Sequence, residues 1–268
     1  MGRNGAEREF NSVDCSTPVM VRLCQNGFVP KNRVPTTTAL LGLVAASSSA
    51  AAQQQETFTI TQAARAPKAT TAEPASPFWK DAPSVVTSHD RYGKPVPNAR
   101  TEIRGRWTAS HLHFLFTSQF EKMKLKMGPS KTKETWGLWE FDVVEIFIGH
   151  DLRNIKRYKE FEISPLGEWV DLDVDLDRHG LEVDWRWDSG MEWHARIDEG
   201  AKLWYCEVRI PWKSIAAPGG GVKAGDEFRL NLYRIEGAEP DRRYITWRPV
   251  NSPSYHTPAA FGRLKLAE

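Results

Sequence analysis

From about residue 99 to the C-terminus, apolar and polar side chains alternate with a period of two, in short runs separated by turn-forming residues. That is the pattern of strands that bury one face. The clearest run is 142–149: Val144, Ile146 and Ile148 point one way, and Val143, Glu145 and Phe147 the other. Leu112, Phe114 and Phe116 alternate against His113 and Leu115, and Trp204, Cys206, Val208 and Ile210 against Tyr205, Glu207 and Arg209. The same reading predicts strands over 99–108, 112–118, 158–164, 168–175, 192–198, 203–210, 227–233, 244–247 and 262–266. About ten short strands without a long helical pattern predict an all-β, single-domain antiparallel β-sandwich of the jelly-roll or immunoglobulin-like kind. Single helical turns are expected near 211–215 and 121–127. The connection from Gln119 to Phe141 is long for a compact domain, the kind of loop that tends to be functional or disordered, and it carries Trp136 and Trp139.

The N-terminal part has a different texture. Arg22, Lys31 and Arg33 precede a short apolar run, 39–46, and small residues ending in Ala50-Ala51-Ala52. A basic lead, a short apolar core and a small-residue end describe a secretory signal, and the run is too short to span a bilayer. Residues 1–52 are therefore read as a leader, with translation starting at Met1 or Met20, and the mature protein as secreted, periplasmic or extracellular. Its removal takes Cys15 and Cys24 and leaves Cys206, on the inward face of a strand, so a packed core rather than a disulfide must stabilise the fold. Residues 53–76 are rich in Gln, Ala, Thr and Pro and read as a disordered linker. The folded domain is expected over 77–268, starting near Phe78-Trp79.

Composition narrows the function. With 36 basic against 34 acidic residues, there is no field for nucleic acid or an anionic membrane. Eleven tryptophans exceed what a core of this size needs, and tryptophan is a stacking residue. Trp136, Trp139, Trp185, Trp187, Trp247 and Tyr255 fall in or beside loops, and loops gathered at one end of a sandwich are where such folds bind. Trp139 beside Asp142 and Glu145 offers a ring and acidic acceptors, which suits a sugar with one apolar face and a rim of hydroxyls. As a hydrolytic pair Asp142 and Glu145 fit poorly, because residues i and i+3 of a strand face opposite ways. Asp171, Asp173, Asp175 and Asp177 read as a solvated acidic edge; the calcium-loop pattern fails, since Arg178 or Arg186 falls where a ligand or glycine belongs, although a structural calcium remains an option. His111 and His113 read as a solvent-facing pair without a third metal ligand. Gly219-Gly220-Gly221 lacks the Lys-Ser/Thr of a phosphate loop, and no serine sits in Gly-x-Ser-x-Gly.

Five motifs in order resemble the family 9 carbohydrate-binding modules and the wider DOMON-like group. They are Phe78-Trp79; Trp107–Phe114; Trp139-x-x-Asp142-x-x-Glu145-Ile146-Phe147-Ile148; Phe161–Gly167 followed by Tyr205-x-Glu207-Val208-x-Ile210-Pro211-Trp212; and Trp247 with Pro258-Ala259-Ala260-Phe261-Gly262-Arg263-Leu264. The resemblance implies a β-sandwich, and a site in which two aromatic rings sandwich a terminal sugar while charged and amide side chains hold its hydroxyls. The matching positions are Trp139, Glu145, Tyr255 and Asn231. Tyr255 replaces the family's tryptophan, Glu162 stands where an arginine is usual, and Tyr233 replaces an amide.

These readings converge on a secreted, non-catalytic protein that binds the end of a polysaccharide or oligosaccharide. Trp139 and Tyr255 stack, Glu145 orients with help from Asn231 and Arg248, and Trp136 stands beside them. Cofactors are not expected. Two alternatives stay open: a haem-binding electron-transfer domain of the DOMON-like group, which would need an axial pair involving Met123, Met127 or Met191, and a protein-interaction domain that has lost sugar binding.

Overall fold

The structure, a computed structural model, describes residues 56–178 and 185–268. The leader lies outside them. Thirteen strands form one mixed sheet among the described residues: β1 Thr57–Gln62, β2 Ser84–Thr87, β3 His89–Asp90, β4 Thr101–Trp107, β5 His111–Gln119, β6 Val143–Gly149, β7 Arg157–Ile163, β8 Trp169–Asp175, β9 Glu192–Asp198, β10 Leu203–Pro211, β11 Glu227–Glu236, β12 Arg243–Thr246 and β13 Gly262–Ala267. A single helical turn, α1 Trp212–Ile215, follows β10 where the sequence predicted one, whereas 121–127 is irregular. The main path runs β8-β7-β6-β11-β13-β1-β4-β5-β10-β9; β2 pairs with β4, β12 with β11, and β3 with β12.

All ten strands predicted from alternation are present. Their inward faces, among them Phe114, Phe116, Cys206 and Val208 from one end of the path and Val144, Ile146, Phe161 and Ile163 from the other, meet in one cluster. The sheet therefore curls, and each large side chain in that cluster contributes roughly 1.5–3 kcal/mol by leaving water.

Three expectations are corrected. First, the sheet is not wholly antiparallel: β1 pairs parallel with β13 and with β4. Second, β1 lies inside the stretch read as a linker. Its composition is poor in apolar residues, but Phe58 and Ile60 are fully buried between flanking threonines. The rest of that stretch is pinned by hydrogen bonds. The Thr71 and Ala72 N–H groups donate to Glu207 Oε2 at 2.9 and 2.8 Å, while Arg209, Arg196 and Arg104 donate to the carbonyls of Pro67, Ala72 and Pro74. Polar residues on the outer faces of β4, β9 and β10 thus replace the apolar burial that composition could not supply. Third, His113 is buried, not solvent-facing, because the Pro77–Trp79 turn lies over it, with Phe78 edge-on at 5.0 Å. Burial, then His111 and Arg209, hold its pKa down at about 3.

The Asp171–Asp177 series lies on β8, at the end of the main path, but only Asp173 and Asp177 form the expected solvated edge, because Asp171 and Asp175 are buried. Lys159 pairs with Asp173 at 2.6 Å, Arg157 with Asp175 at 3.0 Å and Lys156 with Asp177 at 2.6 Å, whereas buried Asp171 accepts from the Ser189 N–H at 2.9 Å. No cluster of three or more metal-ligating side chains occurs among the described residues.

The glycine of the closing Phe-Gly motif has a steric reason. A Cβ on Gly262 would sit 2.6 Å from the Glu56 carbonyl oxygen and 2.9 Å from the Trp247 ring. Gly262→Ala is expected to cost about 1–3 kcal/mol of stability by overpacking, measured by denaturant unfolding; an unchanged midpoint would show that β1 does not pass so close.

Candidate functional site

β6 is buried on both faces, which the alternating pattern did not disclose. Val144, Ile146 and Ile148 enter the main core, whereas Val143 and Phe147 join a second cluster with Tyr158, Val170, Leu172, Val174, Tyr233 and Ile235 from the neighbouring strands. Loop residues close over that second face. Leu138 is driven into it by a one-turn helix, Leu138–Glu140, capped by Gly137 at φ 78, a left-handed conformation that glycine adopts without strain. That turn sets Trp136 and Trp139 on either side of Leu138, edge to face at 5.2 Å and half-buried. Arg242, with its side chain buried, fixes it by donating to the carbonyls of Trp139 and Glu140. From the C-terminal side, Val250 and Tyr255 pack onto the same face.

Between these loops and the strands lies a cavity of about 250 Å³, lined by Trp136, Trp139, Trp185, Tyr244 and Tyr255 around Glu145, Glu160 and Glu162. Four of the six sequence-predicted site residues, Trp136, Trp139, Glu145 and Tyr255, are brought together there. The other two are not among its lining. Asn231 is buried; its amide donates to Tyr233 Oη and to the Arg248 carbonyl, both at 2.9 Å. Tyr233 in turn stacks on Tyr255 at 4.0 Å and 15°, so Asn231 reaches the cavity only by backing that stack. Arg248 pairs with Glu56 at 3.2 Å, away from the cavity. Of the other loop aromatics, Trp247 belongs to the main core against Phe58, and Trp187 lies under Lys159 Nζ at 4.3 Å. Asp142 is not at the lip: its Oδ1 accepts from the N–H groups of Lys124 and Gly237 at 3.1 and 2.7 Å and ties two loops to the start of β6.

The carboxyls of the floor come from two paired strands. Glu145 stands opposite Glu162 and Phe147 opposite Glu160, so all three side chains emerge on one face. Glu145 and Glu162 are 2% and 1% exposed, and no arginine or lysine forms an ion pair with either among the described residues. Burial, then the Glu160 carboxyl, push the Glu145 pKa well above the usual range, with Arg242 opposing. Burial, then Glu145 and Glu160, do the same to Glu162. His256 bridges one side, with Nδ1 2.6 Å from Tyr158 Oη and Nε2 3.9 Å from Glu160. Sequence reasoning missed Glu160, Tyr244 and His256 as lining, named Trp185 only among the loop aromatics, and noted Glu162 only as a departure from a pattern. The signal for the two acids was there: once β6 and β7 are paired in register, alternation puts both beside Glu145.

An aromatic wall facing a polar floor is the composition of a small-ligand site. The model of the Carbohydrate family 9 binding domain-like family matches residues 74–268. The chain belongs to that family. All the cavity residues fall inside the matched segment, and β1 falls outside it. Similar solved structures agree in fold. A Bacteroides uniformis ATCC 8492 protein proposed to bind carbohydrate superposes with a TM-score of 0.63 at 14% identity, over 79% of this chain and 99% of that one. A family 9 carbohydrate-binding module from Caldicellulosiruptor kristjanssonii in complex with cellotriose gives 0.56 at 13% identity, over 79% and 93%. The glucose complex of a module from the same organism gives 0.54 at 13%, over 78% and 95%. No curated protein matches the chain. The methionines relevant to a haem reading are scattered: Met127 is 90% exposed, Met191 is core, and none lines the cavity that holds His256.

Proposed function

We propose that the chain is a secreted, non-catalytic carbohydrate-binding protein that takes the end of a polysaccharide or oligosaccharide into this cavity. The observation that carries the reading is the convergence of Trp136, Trp139, Glu145 and Tyr255, distant in sequence, on one aromatic-walled cavity. Its volume of about 250 Å³ lies just below the roughly 300–1,000 Å³ of sites for drug-sized molecules, which suits one terminal ring rather than a run of them. Trp139 and Tyr255 supply stacking, worth about 1–3 kcal/mol per ring by analogy with bases on aromatic side chains. Glu145 orients the ring by hydrogen bonds, and Asn231 acts through Tyr233. The structures with cellotriose and with glucose support a sugar ligand of this kind.

The three carboxyls favour binding over hydrolysis. They share one face of two adjacent strands, whereas hydrolysis by paired carboxylates needs one on each side of the glycosidic bond. The curled sheet is read as a two-layer sandwich whose filling is the main core. Secretion fits the fold, since cleavage after Ala52 would spare all of β1 and the Glu56 carbonyl, which accepts from Arg263 N–H at 2.9 Å. No helix among the described residues is long and apolar enough to cross a membrane.

The test is migration in native gels cast with soluble polysaccharides. The chain is expected to be retarded by at least one of them, and Trp139→Ala to run freely while melting at the wild-type temperature. Equal retardation of both proteins would remove Trp139 from the site.

A further inference from the structure

The cavity's floor holds more acid than a neutral sugar requires. Glu145 and Glu162 are almost wholly buried, face each other across paired strands, and lack a lysine or arginine partner among the described residues. One oxygen of Glu145, Oε2, has no hydrogen-bond partner there, and its side chain lines the cavity. Glu160 and Glu162 share a hydrogen bond, but a buried carboxyl cluster without a cation is costly and holds protons that a cation would displace, so a retained cluster points to a ligand that completes it. The nearby cations do not. Arg242 directs both Nη atoms to the Trp139 and Glu140 carbonyls and acts on Glu145 and Glu162 only through space, too weakly to offset their burial. Arg91 lies over the Tyr244 ring at 3.9 Å and donates to the Pro253 carbonyl. The missing group is therefore a cationic donor that arrives with the ligand. An ammonium suits both halves of the site: its N–H groups satisfy carboxyl oxygens, and the faces of tryptophan and tyrosine attract its charge.

We propose that the ligand is a glycan end bearing a free amine, an amino sugar in its unacetylated form, with the ammonium on Glu145 and Glu162 and the ring against Trp139. This inference rests on the sugar-binding reading above and narrows it.

The experiment titrates the chain calorimetrically with three β-1,4-linked dimers that differ at one substituent: the glucosamine dimer, its N,N′-diacetyl form and cellobiose. The buffer is acidic enough to protonate the amine, and seating the ammonium displaces the proton that Glu162 holds in the free protein, so the measured heat should also vary with the ionisation enthalpy of the buffer. The glucosamine dimer is expected to bind about tenfold more tightly than the others, or better, as a charge-assisted hydrogen bond implies. Glu162→Gln, and independently Glu145→Gln, should erase that preference in a protein that still melts cooperatively. Equal binding of all three dimers, abolished by Trp139→Ala, overturns the amine inference and leaves the sugar site standing. Tetramethylammonium competing as well as the glucosamine dimer overturns the sugar part of the inference. Binding of none by the folded protein overturns this inference, and retardation in the polysaccharide gels then decides the sugar-binding reading separately.

Discussion

Glu236→Ala is expected to lower stability by about 3–5 kcal/mol, because it strands a buried charge. Arg234 and Glu236 are 1% and 0% exposed at their side chains and lie 2.6 Å apart. They continue the inward-facing series Phe228, Leu230 and Leu232 to the end of β11. Arg243 closes on the other carboxylate oxygen, and Arg234 donates to Thr101 Oγ1 at 3.2 Å. Burial lowers the Arg234 pKa to about 10, even with the Glu236 and Asp142 carboxyls raising it. Removing Glu236 leaves that guanidinium in the core without its anion. Thermal unfolding should shift down by about 6–20 °C, at roughly 2–4 °C per kcal/mol for a domain of this size. The double variant Arg234→Met, Glu236→Leu should lose much less, since an apolar pair carries no desolvation cost. A double variant as unstable as the single one would mean that packing, not charge, sets the loss.

Glu162→Gln should have the opposite sign at neutral and alkaline pH. Crowding with Glu145 and Glu160 and burial hold its folded pKa well above the ordinary 4.5. Below 4.5 the carboxyl is protonated in both the folded and unfolded chain, and its contribution is fully present. As pH rises past that value the unfolded chain releases the proton and the folded one retains it. Stability then falls by about 1.4 kcal/mol per unit until the folded group ionises. Glutamine imitates the protonated acid and cannot ionise. The variant should therefore melt with the wild type near about pH 4 and several degrees above it near about pH 8. Asp142, raised to about 6 mainly by burial, slopes the same way. His113, held at about 3, slopes the other way, its contribution being lost as pH falls below the ordinary histidine value. Both cancel in the difference between variant and wild type. A variant less stable at every pH would mean that Glu162 is ionised and paired in the fold.

These two predictions rest on residues whose surroundings alternation could not supply. The period-2 runs located ten strands because one face of each is apolar, and a one-residue slip would expose it. β1 escaped because two apolar residues among threonines make a weak signal, and its support comes from parallel neighbours far along the chain, β4 and β13. Nothing local to Val143-Val144-Glu145 says that Leu138 and Tyr255 cover the second face of β6, so alternation predicts one buried face where there are two. For the same reason His113 was read as exposed: its cover, Phe78, is brought in by a distant segment. The candidate site was legible as far as ring and acid residues could be named. Which of them meet depended on loop closure, so Asn231, placed by resemblance, fell behind the Tyr233–Tyr255 stack and Arg248 away from the cavity, while Glu160 and Glu162 entered it through the register of β6 and β7.

The central claim is that the cavity between the Trp136–Trp139 loop and Tyr255 binds a sugar end. Isothermal titration of the chain and of Trp139→Ala with a panel of oligosaccharides tests it most directly. The account predicts saturable heat with at least one sugar, and an affinity lower by about tenfold or more in a variant that melts like the wild type. Unchanged affinity in Trp139→Ala, or no heat from any sugar in the folded protein, would contradict it.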